Sequence, residues 1–178
     1  NNVALTTSIS VTVLPAQLLP QSTLTGLQQV VPGQTFDLSM GLSNVTQSVN
    51  QSVYGQVLTL HYDSVTLQFE SVTPVKDGFQ VIDQKEAVPG HVRIVAASIG
   101  TSMPAKDDLL TFKFTAKSVA QATKTTVSVG SVVIANAQGD ELQVKDASHE
   151  IQISITSGPV DKSLLNASIA NAQAKYNA

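Results

Sequence analysis

From Leu24 to Thr156 the chain repeats one pattern, short runs of alternating apolar and polar residues separated by turn-forming clusters. Thr35-Phe36-Asp37-Leu38-Ser39-Met40-Gly41-Leu42 follows a Pro32-Gly33 turn signal, and Val53 to Asp63 is the longest run. Leu67-Gln68-Phe69-Glu70-Ser71-Val72 comes after a short break, and Phe79 to Asp83 and His91 to Ile99 flank Pro89-Gly90. Leu109 to Ala116, Thr126 to Ala135 and Glu150 to Thr156 finish the series. Gln138-Gly139-Asp140 supplies the turn that lets Glu141-Leu142-Gln143-Val144 return. Successive strand side chains point to opposite faces, so a period of two marks strands with one face buried. Strands at this spacing, with no amphipathic helix between them, predict an antiparallel sandwich or jelly roll. Parallel βαβ units need crossover helices, and the sequence has nowhere to put them.

Composition agrees. Val, Thr and Ser number 23, 17 and 19 of 178 residues, a third of the chain. β-Branched side chains lose χ1 freedom in helices and fit a pleated, half-buried surface, so the reading is all-β. Charged residues make up 13% and hydrophobic ones 42%, which excludes a disordered tail. With 10 basic against 13 acidic residues, the net charge of −3 leaves no basic footprint for nucleic acid. No run approaches the ~18 consecutive apolar residues of a membrane span, and no basic leader opens the chain. Neither nucleic acid nor membrane is an expected partner. Cys and Trp are absent from the sequence, so no disulfide framework and no Cys-ligated zinc site can form. The first residue is Asn1 rather than Met, so the chain reads as a piece of a larger protein. Zero Cys fits a bacterial surface protein that does without disulfides, and fits a cytosolic one equally.

The two ends differ from the middle. Val3, Leu5, Thr7, Ile9, Val11 and Val13 alternate as one clean strand closed by Pro15, and Pro15 to Pro20 reads as a linker. At the other end Leu165, Ile169, Ala172 and Tyr176 are spaced as a helical stripe, with Asp161 as an N-cap after Gly158-Pro159. A lone helix of this length is marginal in water. Either it packs on the sandwich or it opens a following module.

The familiar catalytic patterns are missing. The sequence has no Gly-x-Ser-x-Gly elbow and no Ser-x-x-Lys pair. Gly100-Thr101-Ser102-Met103-Pro104 reads as a loop. His61, His91 and His149 form no His-Glu-x-x-His motif, and His61 is expected on the outward face of its strand, as a surface or contact residue. Asp107-Asp108 and Asp140-Glu141 are adjacent pairs in predicted turns, better explained as solvated charges than as the two facing carboxylates of a glycosidase. No Asp-x-Asp-x-Asp-Gly calcium loop occurs. The reading therefore assigns no catalytic residue, no metal ligand and no cofactor. Sugar platforms present aromatic faces, but Phe36, Phe69, Phe112 and Phe114 sit in strands, mostly on core parity, leaving few aromatics besides Tyr54, Tyr62 and Tyr176.

Several segments together carry a family resemblance. Pro32-Gly33-Gln34-Thr35-Phe36 and Gly41-Leu42-Ser43-Asn44-Val45 resemble the opening of a cohesin module. Val53-Tyr54-Gly55 to Leu60-His61-Tyr62-Asp63, then Val65-Thr66-Leu67-Gln68-Phe69, is similar to the family's strand ending in Tyr-Asp and the Leu-x-Phe segment after it. His91 to Ser98 resembles the family's central strand, while Leu109 to Phe114 and Val132 to Gly139 match later ones. The match covers roughly residues 24 to 156, in order and spacing rather than through any one motif. Val160 to Leu165, with Ile169, Ala172 and Tyr176, resembles the first helix of a FIVAR module, a small helical bundle of secreted bacterial surface proteins and glycoside hydrolases.

This resemblance implies a nine-stranded antiparallel jelly-roll sandwich, plus the short C-terminal helix, that docks a dockerin module. The expected division is 1–21 as an N-terminal strand and linker, 22–157 as the sandwich, and 158–178 as the helical segment. The family docks through its third, fifth, sixth and eighth strands. Strand parity then gives Gly55, Val57, Thr59 and His61 on the third, and Arg93, Val95 and Ala97 on the sixth. Val133 and Ala135 come from the eighth, and Val81 or Asp83 from the fifth. Further implications are a non-catalytic module of a secreted or cell-surface bacterial protein, monomeric when free, assembling multimodular carbohydrate-active enzymes, with any calcium carried by the dockerin. A carbohydrate-binding sandwich and a structural spacer remain the alternatives.

Overall fold

The computed structural model describes residues 20–44, 52–100, 103–104, 108–155 and 163–177. The expected strand over Val3–Val13 and its linker, Thr101-Ser102, Asp107 and the helix cap at Asp161 lie outside the described residues. The strands of the first half are β1 (Gln21–Gly26), β2 (Gln29–Val30), β3 (Thr35–Ser43), β4 (Ser52–Val53), β5 (Gly55–Tyr62), β6 (Leu67–Pro74) and β7 (Phe79–Val88). Those of the second half are β8 (His91–Ser98), β9 (Met103–Pro104), β10 (Asp108–Ala116), β11 (Thr123–Ala135), β12 (Glu141–Val144) and β13 (Ala147–Ile153), before helix α1 (Ser163–Tyr176).

Two sheets hold eleven of these strands. The smaller runs β1-β3-β10-β6, and the larger runs β2-β13-β11-β5-β8-β7, with β12 also paired to β11. Ladders between these strands are antiparallel except for the short β13–β2 one, and an isolated parallel bridge joins Gln21 to Lys145. A two-stranded ribbon, β4–β9, turns Met103–Pro104 from an expected loop into a strand. The count exceeds the expected nine partly through short pieces such as β2 and β12.

The alternation forecast from sequence is what closes the core. On β5, Gln56, Leu58 and Leu60 are buried while the residues between them are only half-buried. Leu38, Met40, Phe112 and Phe114 of the smaller sheet join Leu58, Leu60, Ile94, Val129, Ile134 and Ile151 of the larger in one apolar cluster. Each such fully buried side chain contributes about 1.5–3 kcal/mol of transfer free energy. Phe114 is an aromatic hub, with ring centroids 5.9 Å from Phe36, 5.6 Å from Phe69 and 5.4 Å from Tyr62. The phenylalanines thus pack inward, as their parity predicts. Helix α1 forms, but its described side chains are exposed, Ile169 and Tyr176 among them.

Candidate functional site

The four strands expected to build a binding face are β5, β7, β8 and β11, and they lie side by side in the larger sheet as β11-β5-β8-β7. Directly paired residues share a face, so register converts these strands into rows. The first row is Ala135–Gly55–Ala97–Gln80, and the second is Val133–Val57–Val95–Asp83. The third is Gly130–Thr59–Arg93–Lys85, and the fourth is Ser128–His61–His91–Val88. Between these rows Leu58, Leu60, Val92, Ile94 and Ala96 point into the core. The rows therefore form the outer face of the sheet.

Ten of the eleven residues expected at the site share this face, and Val81 does not. Val81 pairs with Ala96, which is 1% exposed, and packs against the core. The cause is a β-bulge between Val81 and Asp83. In a regular strand residues two apart share a face, but the extra residue, Ile82, reverses the parity. Asp83 consequently stands opposite Val95, on the outer face. Sequence parity also missed Gln80, Lys85, Val88, His91, Ser128 and Gly130. His91, Ser128, Gly130 and Gln80 follow from alternation with their buried neighbours Val92, Val127, Val129 and Phe79, whereas Lys85 and Val88 are placed only by the shifted β7 register.

The register of β7 shifts again between Glu86 and Val88, which sets Val88 opposite His91, and a further bulge shapes the opposite border. Register shifts between Gly130 and Val133 on β11, where Ser131 takes a left-handed φ of 51°. Counting from beyond that bulge is what keeps Val133 and Ala135 on the outer face.

The rows grade in chemistry. Rows one and two are built mainly of Gly, Ala and Val, whose short side chains let another backbone approach closely. Rows three and four carry Arg93, Lys85 and the two histidines. Arg93 reaches Asp83 at 3.4 Å, both side chains being 55% exposed, so this ion pair adds little stability. The His61 and His91 rings meet edge-on with their Nδ1 atoms 2.8 Å apart. The end of the face is pinned from below. Tyr62 donates its hydroxyl to Glu86 Oε1 at 2.7 Å, and the Gly90 amide donates to the same oxygen at 2.8 Å, tying β5 to the β7–β8 turn. Burial first, and then the Glu86 carboxylate, push the Tyr62 phenol up to about 12. Asp63 closes the next turn, accepting from the Val65 amide and the Thr66 hydroxyl at 2.9 and 3.0 Å. Among the described residues no group of three or more His, Asp or Glu is placed to hold a metal ion.

Two sheets around one core define a β-sandwich, and its larger sheet presents a broad outer face graded from small apolar to cationic. The family model for the cohesin domain matches residues 20–155, and the chain belongs to the cohesin family, whose members are non-catalytic interaction modules. It is similar to a cohesin module of a Clostridium perfringens family 33 glycoside hydrolase, at 22% identity, 77% of this chain, 98% of that one, and TM-score 0.68. It is also similar to the structure of a type I cohesin–dockerin complex from Clostridium thermocellum (14% identity, 80% and 98% covered, TM-score 0.62). A third likeness is to the sixth cohesin of Acetivibrio cellulolyticus scaffoldin B, solved with a Cel5 dockerin (15%, 76% and 99%, 0.56). No curated protein matches the chain.

Proposed function

We propose that this module binds a dockerin through the outer face of β11-β5-β8-β7. The observation that carries the reading is the assembly of ten expected contact residues, from four separated segments, into adjacent rows of one face. Similarity to cohesins solved in complex with dockerins supports the class of partner. Rows one and two supply apolar area around Gly55 and Ala97, where a partner helix can seat closely. Arg93, Thr59 and His61 border that area with hydrogen-bonding groups. Asp83 takes the fifth-strand position, and Val81 is excluded from it.

The reading extends to a free monomer of nine-stranded jelly-roll type over 22–157, with calcium carried by the dockerin. It places the module in a secreted or cell-surface bacterial protein that assembles carbohydrate-active enzymes, with α1 opening a FIVAR-like bundle. The test is a display panel of dockerin modules probed with this chain, followed by calorimetry on any binder with and without calcium. Capture of a dockerin, blocked by Val57→Asp, is the expected result. No binder across the panel, together with glycan binding by the free chain, overturns it in favour of a carbohydrate-binding sandwich.

A further inference from the structure

We propose that His61 and His91 form a binding site for a borderline divalent transition ion, Cu2+ foremost, on the fourth row of the outer face. Backbone register sets the pair, since the two residues stand directly opposite on β5 and β8, in a ladder without a register shift. Their Nδ1 atoms are 2.8 Å apart and the rings cross at 86°. At that separation one Nδ1 carries the proton and the other is bare, so one lone pair already faces the gap. Moving the proton of the donor ring from Nδ1 to its own Nε2, by exchange through solvent, frees the second lone pair with both imidazoles still neutral.

Ligand type favours one class of ion. Two nitrogens each about 2.0 Å from a metal stand about 2.8 Å apart at a right angle, and about 3.3 Å apart at a tetrahedral one. The observed gap is that of an N–H···N hydrogen bond, and the cross-strand register keeps both rings near enough that side-chain rotation can turn the two lone pairs to adjacent corners of a square-planar or tetragonal site. Cu2+ and Ni2+ prefer that geometry, and Cu2+ heads the affinity order of the divalent series. His91 is exposed and His61 half-buried, so water completes the coordination from the solvent side.

The neighbouring groups sharpen the choice. Arg93 and Lys85 fill the adjoining row and repel a cation, an effect only partly offset by Asp83, which bonds Arg93. On the fourth row itself, Ser128 flanks His61 with a hydroxyl and Val88 flanks His91 with no donor atom. Glu86 is engaged with Tyr62 and Gly90. A hard ion such as Ca2+ depends on several oxygen ligands and finds none gathered here, whereas Cu2+ gains its affinity from the imidazoles themselves. His149 provides an internal control, because its Nε2 is held 3.0 Å from the carbonyl of Leu27, away from the pair.

The experiment titrates tag-free chain with Cu2+ by calorimetry and electron paramagnetic resonance, with Ca2+ in parallel. Expected are one saturable Cu2+ site with nitrogen hyperfine structure, its loss in His61→Gln and in His91→Gln, its retention in His149→Gln, and no heat with Ca2+. Melting curves establish that each variant is folded, and His61→Ala and His91→Ala replace any Gln variant that melts early. Absence of saturable Cu2+ binding in the wild type overturns the proposal. So does undiminished binding in either pair variant, or loss in His149→Gln. Dockerin binding takes no part in these readouts.

Discussion

A carboxylate placed at Val57 or Val95 separates a docking surface from an ordinary outer sheet face. The two side chains are cross-strand partners in the centre of the second row, and both are half-buried by their neighbours. Replacing one valine removes a cross-strand apolar pair, about 0.2–1 kcal/mol, and some strand preference, up to about 1 kcal/mol. The free domain should therefore lose roughly 1–2 kcal/mol and remain folded, because the carboxylate points to water. Docking buries the same charge against an apolar surface without a partner, which costs on the order of 2–5 kcal/mol. Affinity should fall roughly 30-fold to several-thousand-fold. Two controls bracket the result. Leu60 is fully buried on the inner face of the same strand, so Leu60→Asp loses its packing and strands a charge in the core, unfolding the domain. Val81→Asp should likewise destabilise the fold, since the bulge at Ile82 turns Val81 inward, while Gln80→Glu should leave stability unchanged. The assay pairs dockerin calorimetry with thermal melts across these variants. Unchanged affinity in both valine variants moves the docking surface elsewhere. A melt as early as that of Leu60→Asp refutes the face assignment itself.

The remaining predictions concern the scaffold. Gln56 is 2% exposed, and among the described residues its Oε1 finds no hydrogen-bond partner while its Nε2 reaches the Met40 sulfur at 3.5 Å. Gln56→Met should therefore raise stability by about 1–2 kcal/mol, seen as a higher urea midpoint; a lower midpoint refutes the orphaned-amide argument. Gly90 has φ +88° and an added Cβ would collide with the Tyr62 carbonyl, so Gly90→Ala should cost about 1–3 kcal/mol in chemical denaturation. The folded state holds the Tyr62 proton more tightly than the unfolded chain does, with a folded pKa of about 12 against 10. That contribution is complete below pH 10 and is lost as pH rises through 12, so Tyr62→Phe should flatten the fall in stability across this window. Deleting residues 160–178 should leave the melting temperature of the sandwich unchanged, given the exposure of the described side chains of α1; a lower melting temperature shows that the helix packs on the core.

What could be read from residue order depended on how regular each strand is. β5 and β8 pair without a register shift, so simple parity sorted Leu58, Leu60, Val92 and Ile94 inward and Val57, His61, Arg93 and Val95 outward. The aromatic core was legible for the same reason, with Phe36, Phe112 and Phe114 each on the buried parity of its strand. Gln56 shows what alternation hides, because a polar residue at an inward position looks like a lapse in the pattern rather than a buried amide. The His61–His91 contact was invisible at that level. The two residues are thirty positions apart, and only the β5–β8 register brings them together.

The errors of face assignment belong to the bulged strands that border this regular pair. A bulge adds one residue without changing the apolar–polar rhythm enough to announce itself, since Val81, Ile82 and Asp83 read as ordinary strand residues. Its effect is nevertheless absolute for side-chain direction, and every position beyond it changes face until the next register shift, such as the one between Glu86 and Val88. On β7 this moved Val81 inward and recruited Gln80 to the outer row, while on β11 the shift before Val133 preserved Val133 and Ala135 as outward residues. A bulge also increases local twist, and the two strands without one, β5 and β8, keep a continuous ladder between the bulged strands. The most regular part of the sheet thus carries Gly55, Val57, Val95 and Ala97, the small residues at the centre of the proposed docking face. Variants at the centre should therefore report on docking cleanly, and variants on β7 or β11 require the bulge to be counted before a face is assigned.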